Sequence, residues 1–319
     1  MVDNLNPLFN RVRKVNRNLN SLIFSWNHDY GTNIFSKDWD NLIILDSCRY
    51  DTLKSITNKN KSSSIISRGS SSYEFVKNNF EKQLHDTIYI TTNPHIEKIE
   101  KNEFFIIKKI YDEYEDSFNI NERRTMLDNL RKESQRMVHE NPNKKLIIHS
   151  MIPHAPYISS EAENLRKKLS EEKNITFVNS KGGRGANTQE KAKNKTNPNK
   201  FYSLLGAAKN GYISDNRLYE IYKQEVKTGF NWGEKLANEL DGKSIITADH
   251  GELLGERLLP LLAKEYGHHC NIYCEELRKV PWVVYPSDNR RNIIASEPVD
   301  TQHTQTNIEE NLKALGYKN

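Results

Sequence analysis

The chain has 319 residues, 36 % hydrophobic and 28 % charged, with a mean hydropathy of −0.80, so its apolar side chains must be gathered into a few segments to form a core. That length suffices for one large α/β domain; no stretch approaches the ~20 apolar residues of a membrane-spanning helix, and the N-terminus lacks the pattern of a secretory signal, so a soluble cytoplasmic protein is expected. Lys and Arg number 47 against 42 Asp and Glu, a net +5 too mild to mark a nucleic-acid or salt-adapted surface, and three unevenly placed cysteines make no disulfide framework.

In chain order, residues 1–30 bring Leu5, Leu8, Phe9, Val12, Leu19, Leu22, Ile23 and Trp26 close to helical spacing, with Arg11, Arg13, Lys14 and Arg17 between them. Such a basic amphipathic segment lies on an anionic membrane, here at the inner surface, or packs on its own domain. The apolar run NLIIL (41–45) predicts a buried strand that ends in Asp46, and TIYIT (87–91) predicts a second. A helix is expected over 121–140, carrying Met126, Leu127, Leu130, Met137 and Val138 and stopped by Asn141-Pro142. KKLIIH (144–149) is a third strand, leading to His149 and His154. Residues 160–205 are dominated by Lys, Asn, Glu and Gly and predict a polar insertion. After Ser214, the residues Leu218, Ile221, Tyr222, Val226, Gly229, Gly233, Leu236 and Leu240 recur at three- and four-residue steps, as one buried helix face requires. KSIIT (243–247) runs into Asp249-His250, VPWVVY (280–285) is the last strand, and 291–319 reads as a tail.

Strands alternating with helices predict a mainly parallel central sheet with helices on both faces, spanning residues 31–290. In such sheets ligand groups collect beyond the carboxyl ends of the strands. Asp46, Asp249 and His250 all fall there. Two carboxylates side by side raise each other's pKa, and a divalent cation resolves that conflict. An oxygen/nitrogen donor set suits Zn²⁺ or Mn²⁺, with Mg²⁺ or Ca²⁺ also permitted.

NLIILDSCRYDTL (41–53), SRGSSSYEFVKNNF (67–80), IIHSMIPHAPY (147–157) and IITADHGELLGE (245–256), followed by YGHHCNIYCEELRKVPWVV (266–284), together resemble the sulfatase-like branch of the alkaline phosphatase superfamily. The likeness points to archaeal sulfatase-like proteins of unassigned substrate. It implies the core fold of that superfamily and a metal-dependent enzyme acting on phosphate esters. Position by position, Asp46, Asp249 and His250 match the ligands of one metal ion, and the nucleophile that also touches that ion falls in RGSSSYEFV. Ser72 aligns best there, with Ser70 and Ser71 as alternatives. His154 and His268 match positions that contact the transferred group or a second ion. The remaining ligands of a second ion are not evident, so one firmly bound ion is expected.

The implied chemistry is transfer through a phosphoseryl intermediate, to water or to another acceptor, on a phosphorylated or sulfated small molecule, glycan or lipid headgroup. The Cys/Ser-x-Pro-x-Arg signature of formylglycine sulfatases is absent, since Arg49-Tyr50-Asp51 follow Cys48 and Tyr73-Glu74-Phe75 follow Ser72. A sulfatase-like hydrolase without formylglycine and a non-catalytic module for anionic glycans are the alternatives. Glu252, Glu256, Arg49 and Asp51 suit salt-bridge and helix-dipole roles better than chemistry. His268, His269, Cys270 and Cys274 admit a zinc-cluster reading, with spacing unlike structural sites. Basic residues are not interleaved with stacking aromatics, so no nucleic-acid partner is expected.

Overall fold

The computed structural model describes residues 6–26, 28–57, 63–80, 83–94, 103–113, 120–177 and 200–299. Residues 178–199 of the predicted insertion, 300–319 of the predicted tail and Leu5 lie outside them.

Seven strands form the central sheet: β1 (Asn41–Leu45), β2 (Ser63–Ile66), β3 (Leu84–Thr91), β4 (Phe104–Lys109), β5 (Lys145–Ser150), β8 (Ser244–Thr247) and β11 (Lys279–Tyr285). Their order is β2-β11-β8-β1-β5-β3-β4. All pairings are parallel except those that β11 makes with β8 and β2. β1 is buried along its whole length, which is why it reads as a continuous apolar run rather than an alternating one. A two-residue pair, β6 (Thr176–Phe177) with β7 (Lys200–Phe201), and an antiparallel hairpin, β9 (Leu253–Leu258) with β10 (Ala263–Gly267), lie outside this sheet.

The helices are α1 (Asn6–Phe24), α2 (Tyr50–Ile56), α3 (Ser72–Asn79), α4 (Ile120–Glu140), α5 (Ser160–Lys173), α6 (Leu204–Lys209), α7 (Asp215–Glu239) and the short α8 (Glu275–Arg278). Helices lie on both faces of the sheet, and α1 packs on the β9–β10 hairpin. Helix α7 starts at the N-cap Ser214, whose side chain accepts from Arg217 N. It lies close over the sheet, since a Cβ added at Gly233 would already be in van der Waals contact with Ile246, Ile43 and Leu45 (3.4–3.7 Å). On the opposite face the rings of Phe75 in α3 and of Phe80 pack against His149 and Tyr89. The first residues after β11 continue along the sheet margin, where Ile294 N donates to Asn143 O and Val299 N to Phe105 O.

The first part of the predicted polar insertion is helical. Residues 160–173 form α5, capped by Ser159 accepting from Ala162 N, with Ala162, Arg166 and Leu169 buried. Few apolar residues are needed there, because one helix face alone is covered.

Candidate active site

The strands β1, β8 and β5 are neighbours, so the residues at their carboxyl ends meet. Asp46 leaves β1 into a turn whose second residue, Ser47, has a φ of 64°, a conformation that non-glycine residues seldom adopt. Tyr222 of α7 holds that turn, its hydroxyl donating to Ser47 O (2.5 Å) and accepting from Arg49 N (2.9 Å). The turn in turn grips both carboxylates: Ser47 Oγ donates to Asp46 Oδ1 (2.9 Å) and Ser47 N to Asp249 Oδ1 (3.2 Å). Asn93 Nδ2 donates to Asp46 Oδ2 (2.9 Å), and His250 N donates to Asp249 Oδ1 (2.8 Å).

His250 is oriented by its own backbone. Nδ1 donates to Gly251 O (2.7 Å), because a carbonyl can only accept. Nε2 therefore faces Asp46 Oδ1 (3.5 Å), Asp249 Oδ2 (3.4 Å) and Ser72 Oγ (3.1 Å). His149, from β5, enters the same space: Nδ1 meets the Tyr89 hydroxyl (2.6 Å), while Nε2 stands 3.3 Å from Asp249 Oδ2. Ligand atoms of Asp46, His149 and Asp249 all lie within 4.8 Å of one another. All are buried, and His149 Nε2 and Asp249 Oδ2 have no hydrogen-bond partner. Burial pushes the Asp249 carboxyl up, but the imidazoles of His250 and His149 and the Ser72 hydroxyl outweigh it and hold it well below the usual carboxylate range.

Of the three consecutive serines, each has a different surrounding. The single Ser70 hydroxyl proton lies within reach of two acceptors, Glu74 Oε2 (2.8 Å) and His269 O (2.7 Å), and Oγ accepts from Ile272 N (3.0 Å). Ser71 caps α3 by accepting from Glu74 N (3.3 Å) and lies 3.0 Å from Cys270 Sγ. Ser72 opens α3 with Oγ 3.4 Å from Asp46 Oδ2, beside His250.

At the mouth of the cluster, the His268 ring lies 4.3 Å from that of His250 and 5.0 Å from that of His154, centroid to centroid. Burial alone would depress His268, but Glu252, whose Oε1 is 3.1 Å from its Nδ1, lifts it to about 9. Burial takes His154 the other way, to about 4, against the pull of Asp46. At neutral pH the two rings therefore differ in charge. Arg49 pairs with Asp51 (2.6 Å) and Glu256, the salt-bridge roles expected for those residues. Glu252 instead belongs with His268, and its remaining oxygen, Oε2, is buried without a hydrogen bond.

Sequence reasoning placed His149 at a strand end with metal-ligand chemistry but left it out of the ligand set, and it did not gather Asn93 or Tyr89 into the site, nor Glu252 against His268. For His149 the signal was present: it sits at the end of a predicted strand beside β1. Asn93 carries no such signal, because its partner is 47 positions away. The zinc-cluster reading fails, since among the described residues His268, His269, Cys270 and Cys274 form no metal-binding group, and Cys270 is exposed.

No family model and no curated protein matches this chain. Among solved structures it is similar to the integral membrane lipooligosaccharide phosphoethanolamine transferase A (EptA) of Neisseria meningitidis, at 12 % identity and a TM-score of 0.41 over 78 % of this chain and 47 % of that one. The C-terminal periplasmic domain of phosphoethanolamine transferase EptC from Campylobacter jejuni is 11 % identical, with a TM-score of 0.39 over 78 % of each chain. The Zn complex of the C-terminal periplasmic domain of EcEptC from Escherichia coli is 12 % identical, with a TM-score of 0.40 over 81 % of this chain and 76 % of that one. This chain thus spans about half the length of the Neisseria protein. The likeness is one of fold.

The expected cytoplasmic location, at the inner membrane surface or free, is withdrawn, because the similar structures are an integral membrane protein and periplasmic domains. Low hydropathy suits either compartment equally. Among the described residues no helix is long and apolar enough to cross a membrane.

Proposed function

We propose that this chain is a metal-dependent phosphoesterase or phosphotransferase of the alkaline phosphatase superfamily, with residues 31–290 as its catalytic domain. The observation that carries the proposal is the direction of His250: with Nδ1 committed to Gly251 O, Nε2 faces two buried carboxylates and the Ser72 hydroxyl. Two carboxylates so placed call for a cation between them. The donor set of Asp46, Asp249 and His250, with the Ser72 hydroxyl, is of the oxygen/nitrogen kind that suits a single Zn²⁺ or Mn²⁺. Nε2 of His149 and Oδ2 of Asp249, buried 3.3 Å apart without a well-formed hydrogen bond, support the same reading, since ligand atoms so placed are available to an ion. When bound, the ion would offset the carboxylate charge and lower the pKa of the hydroxyl beside it.

Ser72 is the nucleophile in this reading. Its Oγ gives up its proton and bonds to phosphorus as the bond to the leaving alcohol breaks and that oxygen takes up a proton, giving a phosphoseryl enzyme; water or an acceptor hydroxyl then bonds to phosphorus as the Ser72 Oγ–P bond breaks and Oγ regains a proton. Its place at the first turn of α3 favours negative charge on the oxygen. His268, protonated through Glu252, donates to a nonbridging or leaving oxygen, and neutral His154 orients the transferred group beside it. Asn93, Ser47 and Tyr222 are positioning residues that fix the carboxylates. The substrate class is a phosphate ester with an alcohol leaving group.

The test is turnover of a generic phosphomonoester and phosphodiester panel, with metal content measured on the same samples. Wild type is expected to hold one equivalent of metal and to cleave a member of the panel in a chelator-sensitive way. Ser72→Ala should keep the metal and lose turnover by about 10³-fold or more. Unchanged turnover in Ser72→Ala would move the nucleophile elsewhere, and a metal-free, inert wild type would end the proposal.

A further inference from the structure

Helix α1 turns its polar side inward. Asn16 and Asn20 are fully buried. Asn16 Nδ2 donates to Leu258 O (2.8 Å) while its Oδ1 accepts from Leu261 N (2.8 Å). Asn20 donates to Leu259 O (3.1 Å) and accepts from Tyr273 N (2.8 Å). Arg17 Nη1 reaches both oxygens of the buried Glu265 (3.0 and 3.1 Å), and Arg13 Nε donates to Lys264 O (2.8 Å). The helix is thus tied to the β9–β10 hairpin by side chains whose hydrogen bonds are satisfied, a stable form of polar burial.

The apolar side faces outward. Leu8, Val12, Val15, Leu22, Ile23 and Trp26 are all exposed, Leu22 to 67 % and Trp26 to 89 %. The hairpin tip that Asn16 and Asn20 hold adds Leu259, Leu261 and Leu262, each about half exposed. An apolar surface assembled from a helix face and a loop tip marks a place that something covers. Helix α1 contains no acidic residue and four basic ones, of which Arg11 and Lys14 are exposed beside the apolar face.

We infer that α1 and the 259–262 tip form a docking surface for an anionic lipid bilayer, lying in the interface plane rather than crossing it. Three features favour a bilayer. The apolar points come from two separate elements, which suits a broad surface better than a single partner helix. Trp26, at the end of α1, is the residue type that settles at a membrane interface. A second copy of the chain would bring Arg11 and Lys14 against their own counterparts, whereas anionic headgroups complement them.

Sedimentation of the full chain with vesicles of phosphatidylcholine, alone or mixed with phosphatidylglycerol, tests this. The chain should pellet with the mixed vesicles and far less with phosphatidylcholine alone. Leu22→Ser with Trp26→Ser, and separately Leu261→Ser with Leu262→Ser, should each weaken partitioning by about tenfold. Arg11→Gln with Lys14→Gln should weaken it on the mixed vesicles only, by a similar factor. Circular dichroism should be unchanged in all three variants, since these side chains are exposed. Absence of pelleting, or pelleting equal in wild type and variants, would overturn the inference. So would self-association in sedimentation velocity that Leu22→Ser with Trp26→Ser abolishes, which would assign the face to a second copy. None of these readouts needs turnover, so their failure leaves the phosphoester reading untouched.

Discussion

Glu252 sets the charge of His268, and that coupling has a pH signature. The folded ring binds its proton up to about 9 against an ordinary 6.5, with burial opposing the shift and the Glu252 carboxylate prevailing. A raised folded pKa contributes stability that is fully present below about pH 6.5 and lost as pH rises through about 9. The melting temperature of wild type should therefore decline across that window, and Glu252→Gln should flatten the decline; parallel profiles would contradict it. Turnover should fall over the same upper limb, because His268 is needed as an acid. The serines separate at the same level of detail. Ser70 Oγ links the start of α3 to His269 O and Ile272 N, so Ser70→Ala should lower stability by about 1–3 kcal/mol in denaturant unfolding and leave residual turnover. Loss of turnover without loss of stability in Ser70→Ala would contradict that division.

The loop after β8 approaches α8 without room for a side chain. A Cβ on Gly251 would stand 1.9 Å from Glu276 O, and Gly251 N already donates to Leu277 O (2.8 Å). Gly251→Ala should cost about 1–3 kcal/mol or more in denaturant unfolding, through displacement of the segment that carries His250. A change below about 0.5 kcal/mol would show that α8 gives way freely. Much of the sheet was legible because its strands are buried on both faces and so read as apolar runs. NLIIL is β1 residue for residue, and the Leu218-to-Leu240 spacing traces the inward face of α7. What escaped was half-buried or polar. β2 is Ser-Ser-Ile-Ile at the sheet margin, β4 lies at the opposite edge and ends in half-buried lysines, and the β9–β10 hairpin buries Glu265. Asp46, Asp249 and His250 were legible because strand ends gather side chains in a parallel sheet. The Asn93 and Glu252 contacts depend on loop paths that no local pattern encodes.

Ion binding should register in the stability of the whole chain, because the donors follow β1 and β8 and open α3, elements far apart in the sequence. A ligand at a hundredfold excess over its Kd stabilises by about 2.7 kcal/mol, which for a chain of this size raises Tm by about 3–5 °C. Added Zn²⁺ or Mn²⁺ should produce that rise in the chelated protein, and Asp249→Asn should abolish it. A rise of equal size in Asp249→Asn would place the ion elsewhere. The most direct measurement is anomalous diffraction at the metal edge from crystals grown with the ion that the purified protein retains. One peak is predicted at about 2.0–2.2 Å from oxygens of Asp46 and Asp249 and from Nε2 of His250, with Ser72 Oγ beside it. Crystals with no peak there, or with a peak bound to none of these side chains, would contradict the account.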